Sequence, residues 1–250
     1  MVMAQPDFTA DAALSSLRAA ARAVPPPPLE QAAFDAARQA VEGVRDGDGA
    51  LAAVAIARSR AEKLWKSIRA TPAYALGGPP AACRKGCGWC CHQRVGAALI
   101  EVLALARDLA GRPEAALIAD WRPGRPCAFL KDGACAIYDV RPLKCRSLWH
   151  VDVRHCMARY AAMPVAAAAG VSADARPEPR MIFEGALKGL VLPLIKAGHD
   201  CPGVELMPAL QAVAGQPDAA ARWWSGQPVV PPELRLDWFP VPPAPQRRRR

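Results

Sequence analysis

The chain has 250 residues, 26.6 kDa, 52% hydrophobic and 22% charged, with a formal net charge of +9. That length bounds it to one large or two small domains. The 53 alanines favour helix over sheet, and the 26 prolines exclude long uninterrupted rods. No apolar run approaches the ~20 residues that span a bilayer. The N-terminus lacks the basic and apolar regions of a secretory signal, so the expected compartment is the cytoplasm, where thiols stay reduced.

In chain order, residues 9–24 read as a helix on Leu14, Leu17, Ala21 and Val24, ended by prolines 25–28. A second helix is expected over 29–45, stopped by Gly47 and Gly49. The third, over 50–70, sets Leu51, Val54, Leu64, Trp65 and Ile68 against Arg58, Arg60, Lys63 and Lys66. Residues 71–80 are a connector. After the cysteine-rich stretch 81–92, a helix is expected over 95–110, with a short one after Pro113 and a loop over 121–126. Lys131, Asp132 and Gly133 form the turn of a small hairpin between Cys127 and Tyr138. Pro142 opens a short helix carrying Cys145. Helices are expected over 157–169 and 180–197, and a weaker helical stretch over 203–225. From Gln227 the Pro-rich chain reads as extended or disordered. The expected fold is mainly α: an irregular cysteine-rich metal-binding centre with a small hairpin, surrounded by helices. Its expected parts are an N-terminal helical region (1–75), a cysteine-cluster core (76–160), C-terminal helices packing on it (161–225) and a tail (226–250).

Chemistry concentrates in the nine cysteines. Cys83, Cys87, Cys90 and Cys91 form C-x3-C-x2-C-C, and Cys127, Cys135 and Cys145 form C-x7-C-x9-C. Thiolates bind soft and borderline metals at about 2.3 Å, and four in nine residues can converge on one centre. The adjacent Cys90 and Cys91 can face one ion only in a tight turn; otherwise they serve two centres. The odd count and the missing signal weigh against a disulfide framework. Between Cys83 and Tyr160, 13 basic residues stand against 7 acidic ones. Arg84, Lys85, Arg94, Arg125, Lys131, Arg141, Lys144 and Arg146 lie close to cysteines in sequence. They read first as countercharge that lowers thiol pKa values, and second as a partner surface. Arg141 or Arg146 can donate to thiolates or to Asp139.

Cys156 and Cys201 stand outside the clusters. An eighth ligand would complete two four-coordinate sites, and Cys156, nearer in sequence and beside His155, is favoured over Cys201. His92, His150, His155 and His199 each lie near a cysteine and are weaker candidates. Cys83-x3-Cys87-x-Trp89-Cys90 also matches the radical S-adenosylmethionine pattern, without the strand and βα units that should surround it. Trp223 and Trp224 read as packing rather than a stacking platform.

The spacing C-x3-C-x2-CC, followed by a helix and then CAFLKDGACAIYDVRPLKCR, resembles the YkgJ-type CxxCxxCC cysteine-cluster family, described as zinc- or iron-chelating. The resemblance covers about residues 80–150, and its first gap is one residue longer than the family name implies. It implies ligand roles for Cys83, Cys87, Cys90, Cys91, Cys127, Cys135 and Cys145, and structural places for Tyr138, Arg141 and Pro142. With Cys156 added, the expected function is chelation of zinc or iron, mononuclear or as an iron–sulfur cluster. The alternative is a metal- or iron–sulfur-dependent enzyme, protein-modifying like the flagellin lysine methylase that shares the cluster. The expected partner is a metal ion. Arg247 to Arg250 could attract an acidic protein, while the confined basic charge argues against nucleic acid.

Overall fold

The computed structural model describes residues 28–160 and 175–236. The helix expected over 9–24, most of that over 157–169 and the Arg-ended terminus lie outside the described residues. The rest is mainly helical, as its composition implies, with a small antiparallel sheet and a separate two-stranded hairpin.

Three long helices form the scaffold. Helix α1 (Pro28–Val41) and α2 (Gly47–Arg69) are joined by a short turn. Asp46 caps α2 by accepting from the Gly49 amide at 2.7 Å, so α2 starts at Gly47, earlier than expected. The third is α8 (Pro177–Lys196). It lies on α1 at a separation that side chains would prevent. A Cβ at Gly189 would overlap the Phe34 carbonyl, and one at Gly185 would come within 2.5 Å of the Glu30 carbonyl oxygen. The two glycines are four apart, one above the other on one helix face, and Ala33 and Ala37 on α1 are buried.

Between α2 and the cysteine loop comes α3 (Pro72–Leu76), inside the stretch expected to be only a connector; Thr71 caps it. Its Tyr74 packs edge-on to Trp65 of α2, with ring centroids 5.5 Å apart, and Trp65 meets Trp149 at 5.3 Å. Arg176, almost fully buried, stacks on Tyr74 and donates to the carbonyls of Gly78, Pro79 and Tyr74. That clamp ties the connector to the start of α8.

Strand β1 (Gly96–Ala98) leads into α4 (Leu99–Leu109). A 3₁₀ turn (Pro113–Ala115) and α5 (Ala116–Asp120) follow. The hairpin is β2 (Leu130–Lys131) and β3 (Ala134–Cys135), registered Leu130↔Cys135. Asp132 and Gly133 have φ values of 50° and 75°, which suits a primed two-residue turn with an Asp-Gly sequence. Then come α6 (Leu143–Arg146) and α7 (Val153–Tyr160).

Beyond α8, β4 (Gly203–Glu205) sits between β1 and β5 (Arg235–Leu236). It precedes α9 (Leu206–Ala214) and α10 (Ala219–Trp224). The stretch expected to be weakly helical over 203–225 thus opens with a strand. Residues 227–236, expected to be extended or disordered, instead bury Val229 and Val230 and close the sheet, because two apolar side chains there find the core. No helix among the described residues is long and apolar enough to cross a membrane.

The α1–α8 contact yields a test whose sign is diagnostic. Gly→Ala in a helix interior ordinarily stabilises by about 1 kcal/mol. At Gly189 the added methyl meets backbone, and overpacking costs typically 1–3 kcal/mol. Gly189→Ala should therefore lower unfolding free energy by about 2 kcal/mol in urea denaturation; a gain would mean that the helices are not in contact there.

Candidate metal centre

Four stretches of chain deliver cysteines to one place. The first, residues 81–92, is hung from the segment at Trp149 and His150. Ala82 donates to the His150 carbonyl at 2.8 Å, and the Arg176 amide donates to the Trp149 carbonyl at 2.9 Å. A turn closes on Cys87, whose amide donates to the Arg84 carbonyl. A 3₁₀ turn (Trp89–His92) then carries Cys90 and Cys91, the tight turn that adjacent ligands require. It is docked on the hairpin twice. Cys127 donates its amide to the Cys91 carbonyl at 2.8 Å. Gly88 also packs so closely on the Gly133 carbonyl and the Leu130 side chain that a Cβ there would overlap both.

The second stretch, the hairpin, brings Cys127 and Cys135. The third, α6, brings Cys145, and two groups hold it. Glu101 of α4, fully buried, accepts from the Leu143 amide at 2.7 Å and from the Ala98 amide at 3.4 Å. Arg146 is buried too. It donates to the carbonyls of Tyr138, Asp139 and Arg141 and pairs with Glu62, which pins the loop between hairpin and helix. The fourth stretch, α7, brings Cys156.

The thiols line two adjoining cavities. The smaller, about 20 Å³, is bordered by Cys83, Cys87, Cys90, Cys145 and Cys156, with His150 and Arg141. The larger, about 110 Å³, is bordered by Cys87, Cys90, Cys91, Cys127, Cys135 and Cys145, again with Arg141. All nine cysteines are free thiols. The eight from Cys83 to Cys156 are thus gathered. They are not closed into a coordination shell, since among the described residues no group of three or more Cys, His or carboxylate side chains could hold a metal ion as it stands.

Hydrogen bonds and burial set the thiols apart from one another in proton affinity. Cys83 keeps its proton, held by a hydrogen bond to Cys87 and by burial. Cys87 is correspondingly lowered to about 6 by that bond, helped by a bond from the Trp89 backbone and by the charges of Arg84 and Arg141. Cys91 plays the donor among Cys127, Cys135 and Cys90, so its own pKa rises. The single Cys91 proton, within reach of all three, lowers Cys90, Cys127 and Cys135, the last to about 7. Burial pushes Cys145 well up.

Arg141 is the cation of the site. It is 9% exposed, its guanidinium stacks 4.0 Å from the Tyr138 ring centroid, and its Nε is buried without a hydrogen-bond partner. Its charge lowers Cys87, Cys90 and Cys135. The countercharge expected from eight basic residues thus falls mainly to Arg141, with Arg84 acting on Cys87 and Arg146 on Cys135. Arg94 is committed to Glu205 and Lys144 to Glu184, while Lys85, Arg125 and Lys131 face solvent.

Among the histidines, His150 reaches the smaller cavity and its ring lies 4.6 Å from that of His155. His92 packs on Trp89. His199 stacks on Trp224 at 3.9 Å and lies beside Trp223, and both tryptophans belong to the core packing. Cys201 is buried; desolvation and the neighbouring Asp200 charge raise its thiol, with no cysteine among the causes.

Glu101 went unrecognised in the sequence. Its only signal there is a lone carboxylate in the apolar run around Leu99 to Leu105, where it reads equally as a surface position of the helix.

Residues 82–162 match the CxxCxxCC family model, described as "Putative zinc- or iron-chelating domain". The matched segment contains all eight gathered cysteines and excludes Cys201. Neither the curated proteins nor the solved structures contain a match to the chain.

Two measurements follow from the site's protons. In metal-free, reduced protein, Cys87 should be alkylated first as pH rises, half-maximally near pH 6, with Cys145 and Cys201 protected until unfolding; mass spectrometry of the peptides reads this, and a Cys87 that reacts only near pH 9 would contradict the assigned hydrogen bond. Burial also pushes Glu101 up to about 7, above its ordinary 4.5. The folded state therefore binds more protons than the unfolded state between those values, and stability falls as pH rises through that window. The advantage of wild type over Glu101→Gln should shrink by about 3 kcal/mol from pH 4 to pH 8; a difference independent of pH would show that the carboxylate ionises normally.

Proposed function

We propose that residues 82–162 bind zinc or iron, as single ions or as an iron–sulfur cluster, through thiolates of Cys83, Cys87, Cys90, Cys91, Cys127, Cys135, Cys145 and Cys156. The observation that carries this reading is convergence: thiols separated by up to 73 residues in sequence border two cavities that share Cys87, Cys90, Cys145 and Arg141. A packing role would not require so many soft donors around open space.

The donor set fits the group by its chemistry. Thiolates are the ligands of zinc and of iron–sulfur centres. Cys90, Cys127 and Cys135 are lowered by the proton that Cys91 can share with any of them, and Cys87 is lowered by Cys83. The buried Arg141 Nε, without a partner in the protein, suits a negatively charged centre of bound thiolates. A bound zinc ion would supply a cross-link between the chain segments; iron would add electron transfer. The two cavities support division of the ligands between Cys83 and Cys156 on one side and Cys91, Cys127 and Cys135 on the other, with Cys87 bordering both. Cys90 and Cys145 stand between.

A second reading is a metal-dependent enzyme. The larger cavity favours it, because about 110 Å³ beside the thiols exceeds the ~10–15 Å³ that one water needs and leaves room for a small ligand.

Elemental analysis with an absorption spectrum of anaerobically purified protein tests the proposal. At least one equivalent of zinc or iron per chain is expected. Because metal binding is folding free energy when ligands come from separate segments, Cys87→Ser and Cys145→Ser should each lose metal and become more sensitive to protease. Reduced, folded protein with no metal and no affinity for zinc or iron would overturn the proposal. Full occupancy in Cys145→Ser would remove α6 from the ligand set.

A further inference from the structure

Met207 lies on α9, 45 residues beyond the end of the matched segment, yet it touches Cys127. Its Sδ is 3.9 Å from Cys127 Sγ, and the thiol donates to it. The side chain is 6% exposed. Its place is set by backbone rather than by loose packing. Glu205 pairs with Gly96 in the β1–β4 ladder, and the Leu206 amide donates to the Val95 carbonyl at 2.8 Å. The first turn of α9 is thereby suspended from the strand that leaves the cysteine loop.

Buried methionines usually fill gaps in a core. Here the sulfur accepts from a thiol that belongs to the cluster. Two sulfurs bound to one tetrahedral ion at ~2.3 Å each stand about 3.8 Å apart. Cys127 and Met207 already hold that separation, with the thiol proton occupying space between them. Chemistry supports the pairing as well. A thioether donates without adding charge, and charge is what a crowd of thiolates can least accommodate. Thioether and thiolate together favour soft ions over hard ones.

We infer that Met207 is a thioether donor to the metal ion that Cys127 binds, and that this centre is therefore built partly outside the CxxCxxCC segment. The inference rests on the proposed metal binding, and its ligand class is a soft, thiophilic ion.

Cadmium-113 and the full chain carrying ¹³C-methyl methionine test it by nuclear magnetic resonance. Met207→Leu, which nearly conserves volume, identifies the Met207 methyl signal among the six methionines. If that variant does not fold, substituting the other five in turn identifies the signal by elimination. On loading metal-free protein with cadmium, the Met207 signal should shift and split by coupling to the metal. Met207→Leu should still take up cadmium, about tenfold more weakly, as the loss of one supporting group implies. Stoichiometric uptake with an unsplit Met207 signal, shifted or not, would overturn the inference and leave the proposed function standing. Absence of any cadmium uptake would overturn both.

Discussion

Eight sulfurs drawn from four stretches of chain can share a small volume only if their charge is suppressed or cancelled. Two thiolates 4 Å apart repel by about 4 kcal/mol at an effective dielectric constant of 20, so a fully ionised, uncompensated cluster would push the segments apart. Hydrogen bonding and burial meet part of this constraint: Cys83 shares its proton with Cys87, Cys91 shares its own with neighbouring thiols, and burial raises Cys145. The charge of Arg141, buried among them, lowers Cys87, Cys90 and Cys135. A bound cation would displace those protons and take over the same task, which links metal affinity to pH and to the integrity of the whole centre.

The surrounding helices answer a different need, that of placing irregular segments without regular ladders of their own. The cysteine loop, the hairpin and α6 contain few backbone hydrogen bonds within themselves. They borrow partners instead. The cysteine loop uses the carbonyl of His150, the hairpin that of Cys91, and α6 the carboxylate of Glu101. Glu101 can do this because Leu99 to Leu105 of α4 are all buried, and its neutral form at moderate pH lowers the cost of burying it. Arg146 does the reverse, offering its donors to three carbonyls that no strand or helix would satisfy. The α1–α8 pair, brought together by Gly185 and Gly189, supplies the rigid wall behind these contacts.

Legibility in the sequence follows the length over which a signal can accumulate. Helix α2 was readable because Leu51, Val54, Leu64, Trp65 and Ile68 repeat over 23 residues, and the hairpin because Asp132 and Gly133 accept φ values that most residues avoid. The three-stranded sheet was not readable: strands of two or three residues, among them Gly96–Ala98 and Arg235–Leu236, show no alternation to detect. The cysteines stood out as candidate ligands by spacing and count. Their partners did not. Arg141 was one of eight nearby basic residues, Glu101 lay inside a helix, and Met207 lies 80 residues from the cysteine it touches. Contacts made only by tertiary packing leave no mark at the sequence separations that patterns cover.

X-ray absorption at the metal edge tests the central claim most directly, because it counts the atoms bound to the ion. For protein reconstituted with zinc or iron under reducing conditions, the account predicts a first shell of sulfur at about 2.3 Å. A first shell dominated by nitrogen or oxygen at about 2.0–2.1 Å would contradict it, because the cysteines would then be neighbours of the ion and not its ligands.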